Sequence, residues 1–319
     1  MSQSKNRQRP LRDLILWPLV YPAARVLKKV RRSGVERLPR CKRTLMKVGV
    51  FPIRNHFYEP QFDTSDLSVD LAAPRELPGV DLDIDGQLAA LDELIYADEL
   101  EGLPSDSEDE LEFRLHNGLF EAGDAEFWYQ MIRRHKPRRV FEIGSGHSTL
   151  MTAKALERNR SEDTDYACKH VSIEPYEMPW LERLGITVLR QRVEDLETSF
   201  FDELEDGDFL FIDSSHVIRP GGDVLFEYLH LLPALRPGVI VHVHDIFTPR
   251  NYPDSWVRDE VRFWNEQYLL EAFLTHNASW KVVGSLNHLR HDHFDALRRV
   301  CPYLTTDHEP GSFYLQRVT

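Results

Sequence analysis

The 319 residues carry 39 Lys/Arg against 52 Asp/Glu, a formal net charge of −13, with 42% hydrophobic and 29% charged residues. That is an ordinary globular composition, with room for one large α/β domain plus extra elements or for two smaller domains. Three scattered cysteines, Cys41, Cys168 and Cys301, exclude a disulfide framework and a C-x-x-C metal pattern, and point to a reducing, cytoplasmic compartment. The charge is uneven: residues 1–47 hold 14 Lys/Arg against Asp13 and Glu36, net +12, so the remainder holds −25, which argues against general nucleic-acid binding.

In chain order, the first segment is the basic arm, 1–47. Its uncharged stretch Leu14–Ala24 spans 11 residues, too short to cross a bilayer. The preceding Asp13, the internal Pro18 and Pro22 and the basic stretch that follows do not fit a cleaved signal peptide. Residues 11–32 are expected to form one amphipathic helix or two short ones, either packed on the protein or in peripheral contact with an anionic membrane surface. Residues 48–119 are expected to be an irregular and helical cap region, with a helix over Gln87–Glu101 and an exposed acidic loop over 102–112. Asp124 fits an N-cap for the helix that precedes Pro137.

From Val140 onward the pattern alternates. Strands are expected at Val140–Ile143, His170–Ile173, Ile186–Leu189, Phe209–Ile212 and Val239–Val243, with helices at Met178–Leu184, Val224–Leu235 and Trp256–Leu274. Two late strands are expected at Trp280–Val283 and Phe313–Leu315. Strands alternating with helices imply βαβ units and a mainly parallel sheet covered on both faces. Residues 120–319 are therefore read as one α/β domain.

The chemistry concentrates at the strand ends. Val140-Phe-Glu142-Ile-Gly144-Ser145-Gly146-His-Ser148-Thr149 is a strand, a glycine turn and a helix start, the place where open parallel sheets bind nucleotide-like ligands. The dinucleotide fingerprint asks for a third glycine where Thr149 stands, which disfavours an NAD(P)-dependent oxidoreductase. Glu174, at the end of the second strand, is either an acceptor for two ribose hydroxyls or an exposed acid. Glu194 and Asp195 are either near an adenine edge or at a solvated helix start. Asp213 and His216 after the fourth strand, with His244 and Asp245 ending the fifth, are expected to cluster beside the glycine turn. His288, His291, Asp292 and His293 are read as an exposed loop or helix start, and Trp256, Phe263, Trp264 and Tyr268 as core or interface.

The succession EIGSGHST, IEP, DFLFIDSSH and LLPALRPGVIVHVHDIF resembles bacterial class I S-adenosylmethionine-dependent methyltransferases, in particular the Methyltransf_24 group, over about residues 120–318. It is distantly similar to macrocin-type sugar O-methyltransferases. The resemblance implies a three-layer Rossmann-like fold with a mainly parallel, seven-stranded sheet and an N-terminal extension. It also implies S-adenosylmethionine held by Glu142, Gly144, Ser145, Gly146, Ser148, Glu174, Glu194 and Asp213, and methyl transfer to an oxygen of a sugar or other hydroxylated small molecule. The segment Asn55-His56-Phe57-Tyr58-Glu59-Pro60 resembles one upstream in the same group, which makes Asn55, His56 and Tyr58 candidate substrate contacts. For the catalytic step, Asp213, His216, His244 and Asp245 are the candidates. Either His216 or His244 acts as the base, or Asp213, His244 and Asp245 hold a divalent ion such as Mg²⁺. The competing classes are the oxidoreductase and a catalytically silent cofactor-binding or membrane-recruited module.

Overall fold

A computed structural model describes residues 3–176 and 178–319, with side chains from residue 12 onward. The chain divides into two compact units, Met1–Val69 and Asp70–Thr319.

In the first unit, the basic arm forms a single helix, α1 (Gln3–Arg32), followed by α2 (Pro39–Val48) and a loop. The Glu59 carboxylate gathers that loop by accepting from Arg31 Nε (3.1 Å), Arg54 Nε (2.7 Å) and the Arg54 backbone N–H (3.0 Å). Among the described residues of α1 the expected amphipathic face is absent. Leu14, Ile15, Leu16, Trp17, Leu19, Val20 and Tyr21 are all exposed, and successive positions 100° apart encircle a helix. Polarity is sorted along the axis instead of across it. No helix among the described residues is long and apolar enough to cross a membrane.

The second unit begins with α3 (Ile84–Leu91) and α4 (Asp124–His135). It continues through β1 (Arg139–Ile143), α5 (His147–Glu162), β2 (Lys169–Ile173), β3 (Thr187–Leu189) and β4 (Phe209–Ile212). Next, α6 (Asp223–Phe226) runs through a π-turn (Glu227–Leu231) into α7 (Leu232–Ala234), and β5 (Ile240–Val243) follows. The last elements are α8 (Glu266–Leu274), β6 (Trp280–Ser285), α9 (Leu286–Asp292), α10 (Phe294–Val300) and β7 (Phe313–Arg317). The sheet has seven strands in the order β3-β2-β1-β4-β5-β7-β6. The first five are parallel, and β7 runs antiparallel to both β5 and β6.

The apolar strand runs are explained by two cores, one on each face of the sheet. On β4, Phe209 and Phe211 join Trp128, Ile132 and Tyr314 in one core, while Leu210 joins Phe141, Val241 and Leu270 in the other. Side chains alternate between faces along a strand, so a strand buried on both faces must be apolar at every position.

Three boundaries differ from expectation. The region 48–119 is not one cap: Leu91, Leu100, Leu103, Phe113 and Leu115 belong to the first core, so its second half is part of the α/β body. The helix expected over Gln87–Glu101 shrinks to α3 and a 3₁₀ turn at Ala97–Leu100. The helix expected over Trp256–Leu274 is broken before α8, with Val261 in the left-handed region (φ 54°). In a continuous helix Trp256 and Trp264 would stand about 12 Å apart along the axis. Here their rings are 5.1 Å apart, with the Arg262 guanidinium 4.1 and 4.4 Å from them. Closing that cation–π cluster requires the chain to fold back.

Candidate active site

The carboxyl ends of β2, β1 and β4 open into a cleft of about 510 Å³ lined by Gly144, Glu174, Tyr176, Glu194, Asp213 and Ser215, among others. Its floor is the glycine turn. Gly144 has φ +78°, and a Cβ placed on it would lie 2.0 Å from the Asp213 carbonyl oxygen, so only glycine lets the ends of β1 and β4 approach so closely. The register is held by the Gly144 N–H donating to Ile173 O (3.1 Å) and the Asp213 N–H donating to Ile143 O (2.8 Å).

Of the eight cofactor candidates, Gly144, Glu174, Glu194 and Asp213 line the cleft. Glu174 is 9% exposed and accepts the Tyr176 N–H at 2.9 Å. Ser145 continues the turn, its hydroxyl 2.5 Å from that of Ser172, and the Gly146 N–H donates to Thr149 Oγ1 (3.1 Å). Glu142 and Ser148 are corrected: both point inward. The Glu142 carboxylate is fully buried, accepts from Thr149 Oγ1 (2.7 Å) and Ser148 Oγ (3.3 Å), and meets His170 Nε2 at 2.6 Å. It ties the start of α5 to β2 beneath the cleft, because its position in β1 directs it to the α4–α5 side. Asp195 also turns away, paired with Arg192 at 2.8 Å.

The four catalytic candidates do come together. His216 Nε2 lies 3.2 Å from Asp213 Oδ1 and 3.5 Å from Asp245 Oδ2, and His244 Nδ1 lies 3.6 Å from Asp213 Oδ1 and 3.7 Å from Asp245 Oδ1. His216 and Asp245 both have left-handed backbone (φ 59° each), which turns their side chains back over the strand ends. His244 points to the same face as His242, against Phe120 (5.2 Å). His242 is structural: it accepts or donates at Ser312 Oγ (2.8 Å) and stacks on Tyr314 (4.2 Å), and burial holds its basicity well below the usual value.

Three carboxylates that sequence reasoning did not assign to this centre support it. Glu266, fully buried at the start of α8, meets His216 Nδ1 at 2.8 Å and accepts from Tyr228 OH at 3.0 Å. Glu227 accepts from Ser214 Oγ at 3.1 Å. Asp124 accepts from the N–H groups of Ser312 (2.8 Å) and Gly311 (3.2 Å) and lies 3.7 Å from His244 Nε2. It is the first residue of α4 rather than its cap, which is Gly123. The only sequence signal for Glu266 and Glu227 is an acid on an otherwise apolar helical face.

Burial opposes charge on His216, but the hydrogen bonds and charges of Asp213 and Glu266 outweigh it and raise its affinity for a proton well above the ordinary value. His244 is raised likewise, by Asp245 and Asp213 against burial. Burial also opposes ionisation of Asp213, yet the two imidazoles hold it ionised, far below the usual carboxylate range. For Asp245 burial prevails, and its proton affinity is raised. Burial, then Glu266 and Asp223, raise the proton affinity of Glu227 well above the ordinary carboxylate value.

Among the described residues, Asp213, His216 and Asp245 bring ligand atoms within 4.8 Å of one another. His244, expected in the metal set, is not in that group and packs on Phe120 instead. Asn55, His56 and Tyr58 belong to the Met1–Val69 unit, where His56 stacks on Phe57 (4.6 Å) and Tyr58 is exposed. His288 pairs with Asp292 (3.1 Å) and His291 with Glu309 (2.9 Å) on and beside α9.

A parallel sheet with one reversed strand, a glycine turn and acids at successive strand ends defines a class I, S-adenosylmethionine-dependent methyltransferase. Residues 141–246 match the methyltransferase-domain family Methyltransf_24, and the chain belongs to that family. It is 30% identical over 171 residues to an uncharacterised protein of Archaeoglobus fulgidus, spanning 49% of this chain and 75% of that one. It is also similar to the crystal structure of an O-methyltransferase from Bacillus cereus in complex with SAH, at 14% identity and a TM-score of 0.37, over 72% of this chain and 91% of that one.

Proposed function

We propose that the chain methylates a hydroxyl group of a small hydroxylated acceptor, a sugar or similar polyol. The observation that carries this reading is that His216 Nε2 faces both Asp213 and Asp245 beside the cleft. The cleft residues fit S-adenosylmethionine: the bare Gly144 floor admits a close ligand, Glu174 suits the ribose hydroxyls, Glu194 the adenine edge and Asp213 the cationic methionine end. When bound, that cofactor supplies an electrophilic methyl group on a sulfonium. An attacking hydroxyl must lose a proton, and Asp245, with its raised proton affinity, is the residue that takes it. The rings of His216 and His244, whose proton affinity their carboxylate neighbours raise, stabilise the negative charge that develops on the oxygen, and Glu266 fixes the orientation of His216. This assigns the base to Asp245 rather than to a histidine. A second pocket of about 160 Å³ past β5, between Phe247, Tyr252, Asn251, Asn287 and His291, offers an apolar wall and amide groups to such an acceptor.

A second reading keeps the acceptor and replaces the proton acceptor with a divalent ion. Two carboxylates and an imidazole suit one, and Glu266 stands where a carboxylate braces a metal-bound histidine. Such an ion would lower the hydroxyl's pKa. Turnover unchanged after chelation and gel filtration removes this reading; loss restored by Mg²⁺ selects it.

The primary test is calorimetric titration with S-adenosylhomocysteine, followed by transfer of labelled methyl to a panel of methyl glycosides and inositols. Glu174→Ala is expected to weaken binding by at least about tenfold, the loss of a charge-assisted hydrogen-bond pair. Transfer to amines but to no hydroxyl would overturn the proposal.

A further inference from the structure

We infer that α1 docks the protein on an anionic membrane surface. The helix carries an uncharged stretch, Leu14–Ala24, about 16 Å long, whose large side chains are 56–69% exposed on all sides. Single exposed apolar residues are normal, but a contiguous apolar cylinder needs a cover. A second copy of the helix is a poor one, because a helix pair covers one stripe repeating every 3.5 residues. Here Leu14, Ile15, Leu16 and Trp17 occupy four directions in one turn. A lipid layer is the cover that reaches every side.

The charges choose the lipid and the orientation. Arg25, Lys28, Lys29, Arg31 and Arg32 follow the apolar stretch and Arg12 precedes it, in an arm with a net charge of +12 on a chain whose remainder is −25. Anionic headgroups attract the arm and repel the rest. Cations at both ends exclude end-on insertion, since one end would then sit in hydrocarbon. The helix therefore lies along the surface, its middle sunk below the headgroups and its basic ends among the phosphates. Trp17 and Tyr21 suit that boundary.

The test is flotation of the full chain with phosphatidylcholine vesicles, with and without phosphatidylglycerol. The chain is expected to float with the anionic vesicles and at least about tenfold less with the neutral ones. A Leu16→Glu/Val20→Glu variant should stay unbound with both, and Lys28→Glu/Lys29→Glu should lose binding by a similar factor. These positions are exposed, so circular dichroism and S-adenosylhomocysteine binding should be unchanged, which separates loss of docking from misfolding. Failure of the native chain to float with anionic vesicles would overturn the inference, as would equal flotation of the Leu16→Glu/Val20→Glu variant. A vesicle-free dimer abolished by that same variant would also overturn it, in favour of a second copy as the cover.

Discussion

Gly144→Ala isolates the close approach on which the cleft is built. The added methyl would lie 2.0 Å from the Asp213 carbonyl oxygen and 2.9 Å from its carbonyl carbon. Both are backbone atoms that cannot swing aside, so the ends of β1 and β4 must separate by more than an ångström to reach ordinary contact, about 3.2 Å or more. The left-handed φ adds about 1–2 kcal/mol of strain. Loosening the bonds from Gly144 to Ile173 and from Asp213 to Ile143 adds about 1 kcal/mol each. The expected loss is about 3–4 kcal/mol in urea denaturation, with weaker S-adenosylhomocysteine binding in calorimetry. Gly185→Ala is the control: its φ is +70°, but nothing lies within 4 Å of the new methyl, so only the strain of about 1–2 kcal/mol should appear. Equal losses in the two variants, with cofactor affinity intact at position 144, would refute the argument.

Glu266→Gln removes the charge behind His216 and should cost about 2–3 kcal/mol, the loss of a buried charge-assisted bond. His216 holds its proton above its ordinary value of 6.5. Its contribution to stability is therefore complete below that pH and lost as pH rises through the elevated value; in the variant this loss should begin at lower pH in denaturation series. The same sign is expected at Glu126, buried at the start of α4 and raised by burial to about 7. The folded state binds its proton more tightly than the unfolded one, so stability should fall by roughly 3 kcal/mol between pH 4.5 and 7. Glu126→Gln should flatten that part of the pH–stability curve; an unchanged slope would remove Glu126 as its source.

The strands were legible because burial on both faces leaves no polar position: Phe209–Ile212 is a strand to the residue, and the strand-end residues Asp213, His216, His244 and Asp245 follow from it. Strand position did not reveal side-chain direction at Glu142, which lies one step from the glycine turn yet serves the inner packing. The break at Val261 was hidden because helical spacing of aromatic residues also arises when a chain folds back around a cation. Glu266 and Asp124 were unreadable as parts of the centre, since their partners lie 50 and more than 100 residues away. For α1 the apolar count was correct, but a helix sorted along its axis and one sorted across it can share a composition.

The reversed strand has a consequence for the order in which the enzyme becomes whole. β7 lies between β5 and β6, and the backbone N–H of Ser312 beside it donates to Asp124, the acid next to His244. The residues that line the cleft all precede 224 and are translated well before residues 312–317 leave the ribosome. Until they do, β5 has an open edge and His242 lacks its Ser312 partner. The residues that line the cleft and the strand that completes the packing around His242 and Asp124 thus stand far apart in the order of translation.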